Sequence, residues 1–144
     1  MMAMTADTSS DEIKEVNRIC YDYFLQEAAS EDQAKKMMDG LARITKDKGV
    51  KLVHLGNTVF LVIVKGKGLV EVHTMTTKED SVSLARNFVQ LARYLKNIGV
   101  RTAYTYADDP KFAVVAKRTR LPFKTKEVLQ PGTNATTTAY YLTF

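Results

Sequence analysis

The run Thr58-Val59-Phe60-Leu61-Val62-Ile63-Val64-Lys65 constrains this chain more than any other segment. Its apolar stretch, Val59 to Val64, is far shorter than the roughly 20 residues a membrane-spanning helix needs. β-Branched and aromatic side chains in succession suit a pleated strand, and apolar residues on both of its faces predict a strand covered from both sides. A fold built around this run must therefore supply covering layers. Gly56-Asn57 before it and Gly66-Lys67-Gly68 after it predict tight turns. Strands over Val50–Leu55, Thr58–Lys65 and Leu69 to about Thr77 then follow as an antiparallel meander.

The covering layers come from segments with helical period. Ser9 and Glu12 form a capping box, and Ile13, Val16, Cys20, Tyr23 and Phe24 follow at helical spacing, which predicts a helix over about 9–28. Ser30 and Gln33 repeat the box ahead of Ala34, Met37, Met38, Leu41 and Ile44, and Gly49 stands where a helix ends. A third helix spans about 80–98, with Val82, Ala85, Phe88, Val89, Ala92 and Leu95 as its apolar stripe and Gly99 as its stop. Val100–Tyr106 is a strand. Asp109-Pro110 opens a short helix over about 110–120, because Asp caps free amides and Pro is tolerated in the first turn. Pro122 stops that helix, and strands over Phe123–Gln130 and about Ala135–Phe144 follow, joined by a Pro131-Gly132 turn. The aromatic C-terminal strand Ala139-Tyr140-Tyr141-Leu142-Thr143-Phe144 is either an inner strand or one that adds itself to a partner's sheet edge.

These elements predict an α+β fold of order ααβββαβαββ, with residues 1–8 as a disordered tail and 9–144 as a single domain. A length of 144 residues fits one core. One cysteine, Cys20, excludes an internal disulfide and a multi-thiolate metal site, and its place on the first helix's apolar stripe makes it a core residue. The two histidines, His54 and His73, have no metal-ligand spacing, so no metal is expected, and His54 has no visible partner. The N-terminus lacks the basic and apolar regions of a secretion signal, so a cytoplasmic, non-secreted protein is expected, with no membrane association.

Charge is uneven. Residues 1–49 carry seven Lys/Arg against ten Asp/Glu, and residues 50–144 carry fourteen against six. Lys111, Lys117, Arg118, Arg120, Lys124 and Lys126 form an acid-free run. Lys117, Arg118 and Arg120 are its candidate anion- or partner-binding residues. The plainest account is a solvated basic face; nucleic acid and an acidic protein surface are the alternatives.

The order of elements resembles the GNAT superfamily, the acyl-CoA-dependent N-acetyltransferase fold, with its usual first strand missing or reduced to the N-terminal tail. The segment Tyr104-Thr105-Tyr106-Ala107-Asp108-Asp109-Pro110 through Leu121-Pro122-Phe123 is similar to that family's strand, loop, short helix and Leu-Gly-Phe ending, with Pro122 in place of Gly. The resemblance implies acetyl-CoA as cofactor and a glycine-rich loop that closes backbone amides on its pyrophosphate. The corresponding stretch is Thr76-Thr77-Lys78-Glu79-Asp80-Ser81-Val82-Ser83, and no glycine occurs between Gly68 and Gly99. Glu79 and Asp80 would repel a phosphate there. Many family members place a Tyr acid in the short helix; the corresponding residue is Arg118.

Two readings follow. In the first, the chain is a non-catalytic GNAT-like protein with no cofactor that docks on other proteins. Small proteins of this kind occur among short-tailed bacteriophages as virion or assembly proteins, which implies virion or host partners and a host-cytoplasm or virion location. In the second, the chain is an acetyl-CoA-dependent N-acetyltransferase. There Thr77, Ser81 and Ser83 contact the cofactor. Glu71 and His73, two apart on one strand and so on one face, deprotonate the amine. A minor third reading is a host-factor or nucleic-acid binder using the basic run. The absent glycines and the absent Tyr favour the first.

Overall fold

A computed structural model of the chain describes residues 2–3, 9–130 and 132–144. A two-residue strand, β1 (Met2–Ala3), precedes α1 (Ser10–Glu27), α2 (Glu31–Ile44), β2 (Val50–Leu55), β3 (Thr58–Gly66), β4 (Leu69–Thr76), α3 (Ser81–Asn97), β5 (Thr102–Tyr106), α4 (Pro110–Thr119), β6 (Lys124–Leu129) and β7 (Thr136–Thr143). From α1 onward this is the expected ααβββαβαββ order, on a mixed sheet ordered β1-β2-β3-β4-β5-β7-β6. The expected tail thus holds a short strand, paired antiparallel with β2 at Met2↔His54 and Ala3↔Val53. The rest of that tail and Pro131 of the expected turn lie outside the described residues.

The chain divides into two compact units. The first comprises residues 1–63 and 73–79, the second residues 64–72 and 80–144. In the first, Ser9 and Ser30 accept from the N–H groups of Glu12 and Gln33 and so start α1 and α2 as their sequences predict. β2 and β3 pair antiparallel from Val50↔Ile63 to Leu55↔Thr58. Val59 and Leu61 pack with Val16, Ile19 and Cys20 of α1 and with Met75. Phe60 and Val62 point to the opposite face and are buried as well, so β3 is covered on both sides. His54 is tied in rather than alone. Its Nδ1 meets the Glu12 carboxylate, and its Nε2 donates to the Gly56 carbonyl at 2.7 Å. That pair joins the first turn of α1 to the β2–β3 turn across 42 residues of sequence.

In the second unit the turn before β4 fixes the register. Gly68 has φ +71°, and a Cβ there would stand 3.2 Å from Cγ of Arg101. Its carbonyl accepts from the N–H groups of Arg101 (2.8 Å) and Thr102 (2.9 Å). β4 then runs parallel to β5, pairing Leu69↔Thr102, Val70↔Ala103 and Glu71↔Tyr104. α3 turns Leu84, Phe88, Leu91 and Leu95 inward, and Phe88 meets Phe112 of α4 edge to face at 5.5 Å. β7 pairs with β5 on one side and β6 on the other, so the C-terminal strand is an inner strand and offers no edge to a partner. In this unit the outer strand is β6, whose exposed Lys124, Lys126 and Glu127 are the kind of charged residues that discourage edge pairing.

Two outcomes follow from this packing. Phe60→Ala removes a fully buried ring and should cost about 3–5 kcal/mol in chemical denaturation. Burial pushes the Cys20 thiol up to about 12. It should therefore resist a disulfide reagent at neutral pH in the native protein and react once denaturant is added.

Candidate functional site

In the second unit, one row across three strands carries Glu71 of β4, Tyr104 of β5 and Tyr141 of β7. Residues in register on neighbouring strands project to the same face, and Tyr106, two past Tyr104, shares it. The Tyr104 ring lies 5.6 Å from that of Tyr106 and 5.8 Å from that of Tyr141, centroid to centroid. The Glu71 side chain is only 12% exposed, and the Lys65 ammonium stands 3.9 Å from its Oε2. Burial, then the negative charge of Glu71, then the neighbouring phenols push Tyr104 up to about 12. Burial and Glu71 raise Tyr106 in the same order. Both phenols therefore stay neutral at physiological pH, beside a carboxylate. The β4–β5 pairing ends at Glu71↔Tyr104, although β5 continues to Tyr106.

The expected base pair lies on one strand, β4, at positions two apart. Glu71 sits in the row just described, and His73, exposed on β4, belongs to the first unit. Of the expected cofactor contacts, Thr77 is buried in the first unit, and its hydroxyl has no hydrogen-bond partner among the described residues. Beside it Lys78 has φ +60°, and the Glu79 carboxylate accepts from the Asn57 N–H at 2.6 Å. In the second unit Ser81 is the first residue of α3, and the N–H of Ser83 is taken by the Asp80 carboxylate at 2.7 Å. The hydrogen bonds from Ser83 hold Asp80 below the usual carboxylate range, with burial opposing and Arg86 adding a smaller favourable effect. Asp80 therefore stays ionised and neutralises its own helix end.

Lys117, Arg118 and Arg120 line an open groove of about 650 Å3 in the second unit, together with Arg86 and Arg93 of α3. Lys111, Lys124 and Lys126 of the same basic run do not line it. The two α3 arginines were not singled out from the sequence. Their signal is a seven-residue spacing on the polar face of a helix. Among the described residues no cluster of metal-ligating side chains occurs, and no helix is long and apolar enough to cross a membrane.

No protein-family model and no curated protein matches the sequence. Solved structures do match the fold. A spermidine N-acetyltransferase mutant from Vibrio cholerae superposes with a TM-score of 0.65 at 8% identity, covering 99% of this chain and 95% of that one. A GNAT superfamily phosphinothricin acetyltransferase from Sinorhizobium meliloti in complex with AcCoA matches with a TM-score of 0.64 at 14% identity, covering 99% and 89%. Tetrahymena GCN5 matches with a TM-score of 0.62 at 13% identity, covering 98% and 93%. The chain has the GNAT acetyltransferase fold. Nothing in these likenesses bears on a bacteriophage or virion role.

The cofactor implied by that fold is acyl-CoA, and the start of α3 does not fit its pyrophosphate. An anion bound there would compete for the Ser83 amide that Asp80 already holds and would meet that carboxylate's charge.

The tyrosine row gives a direct check. A phenol pushed up keeps its proton longer in the folded protein than in the unfolded one. Its contribution is therefore present below about pH 10 and lost as pH rises through about 12. Ultraviolet titration of native protein should show a late-titrating tyrosine component that shrinks in Tyr104→Phe.

Proposed function

We propose that this GNAT-fold chain binds an alkylammonium ligand on the Glu71–tyrosine face, without an acyl-CoA held at the start of α3. The observation that carries this reading is the Lys65 ammonium at Glu71: the face already holds an alkylammonium group supplied by the chain itself. The chemistry is complementary on both counts. The carboxylate gives a charge-assisted hydrogen bond, and neutral phenol rings present negative π-faces to a cation. Lys65 is 45% exposed at its side chain and reaches Glu71 only at 3.9 Å, so a free amine can displace it. That one matched neighbour is a spermidine N-acetyltransferase supports a polyamine as first choice of ligand.

A second reading, an acetyl-CoA-dependent N-acetyltransferase, draws on two specific observations: the β4–β5 pairing stops beside Glu71 while β5 runs on, and the structural neighbours are acetyltransferases. In both readings Glu71 faces the amine. In the second it also takes the amine's proton, which leaves the nitrogen lone pair free.

Titration of the full chain with spermidine, followed by NMR of the tyrosine rings, tests the shared step. Saturable binding is expected. Glu71→Gln should weaken it about tenfold or more, and Lys65→Ala should strengthen it by removing the internal competitor. Absence of saturation up to about 10 mM, or equal affinity in Glu71→Gln, would contradict the proposal.

A further inference from the structure

The groove between α3 and α4 stands apart from the Glu71 face and does not depend on any reading of it. Its walls are cationic. Arg86 and Arg93 project from α3, and Lys117, Arg118 and Arg120 from the C-terminal end of α4; all five are exposed. No Asp or Glu is among the residues that line it, and Asp80, whose charge Arg86 feels, lies at the start of α3. The unit as a whole carries twelve Lys/Arg against five Asp/Glu, a net of +7. Apolar residues of α3 line it as well. Val82 is 46% exposed, and Val89 lies two turns further along the same face of α3. No aromatic side chain lines the groove, so bases have nothing to stack on.

Arg120 adds an independent observation. It ends α4 in the left-handed conformation, at φ +58°, a position where glycine is strongly favoured because a Cβ is strained there. The chain keeps an arginine at that position, and its side chain lines the groove. Local rules are broken in this way where a side chain has a task that the backbone preference does not serve.

We infer that this groove docks an acidic amphipathic helix of a partner protein. A helix laid along α3 suits all three features. Arg86 and Arg93 are two turns apart, about 10.5 Å along the axis, which matches carboxylates seven residues apart on an opposing helix. Guanidinium groups hold carboxylates in bidentate pairs. Apolar residues at intermediate positions of the same helix face then cover Val82 and Val89, the mode in which an amphipathic helix fills a groove. A nucleic-acid backbone would satisfy the arginines but leave the two lining valines in water.

The test uses a labelled helical peptide with Glu at two positions seven apart and Leu three and four residues after the first. A second peptide of identical composition has the order scrambled. Fluorescence anisotropy with the full chain should show the ordered peptide binding at least tenfold more tightly than the scrambled one. Arg86→Glu/Arg93→Glu should lose that binding, and a peptide with Lys in place of the two Glu should restore it on the variant. Arg120→Gly separates binding from folding: it should keep or raise the thermal midpoint while weakening the peptide several-fold. The inference is overturned if the scrambled peptide binds equally. It is also overturned if a duplex DNA oligonucleotide binds through the same arginines while the peptide does not. The same holds if sedimentation shows that the arginines instead hold a second copy of this chain, or if neither peptide binds.

Discussion

The hydrogen bonds from the Arg101 and Thr102 N–H groups to the Gly68 carbonyl set the geometry on which the Glu71 face depends. They start β4 and β5 in parallel register, and three residue pairs later they bring Glu71 beside Tyr104. The φ +71° at Gly68 and the 3.2 Å approach to Arg101 allow no side chain at that turn without displacing its neighbour. One row of a carboxylate and two phenols follows from the register alone, because paired residues share a face. β7, paired with β5 and β6, then holds Tyr141 in that row.

Charge divides the surface of the second unit. At the start of α3, Asp80 satisfies the helix's own amide, so the positive helix end is spent internally. Along α3 and α4, five exposed cations line one groove together with Val82 and Val89. On the Glu71 face the balance is opposite, with a carboxylate next to neutral rings. One face therefore suits a cation and another a polyanion, while the start of α3 carries a carboxylate on its own amide. The GNAT fold supplies the layers; these three arrangements belong to this chain.

Much of this was legible in the sequence. Capping boxes at Ser9 and Ser30, the Asp109-Pro110 start and the change of period at Val50 are local signals, and local chemistry decides them. β1 was not legible, because Met2–Ala3 has no alternation and forms a strand only by pairing with β2. His54 and Glu12 are 42 residues apart, so their contact exists only once α1 has folded against β2. Glu71 was found by its place on the strand, but its tyrosines were not. Tyr104-Thr105-Tyr106 carries the two-residue spacing that puts both rings on one face, and only the parallel pairing reveals that this face is shared with Glu71. Likewise Lys117, Arg118 and Arg120 were visible as a run, whereas Arg86 and Arg93 join them through helix packing.

In this protein α3 begins on its own carboxylate, whose charge opposes a pyrophosphate at that helix end. Isothermal calorimetry of the full chain with acetyl-CoA tests it most directly. No binding heat is expected at ligand concentrations up to about 1 mM; saturable binding in the micromolar range or tighter would contradict this reading of the helix start.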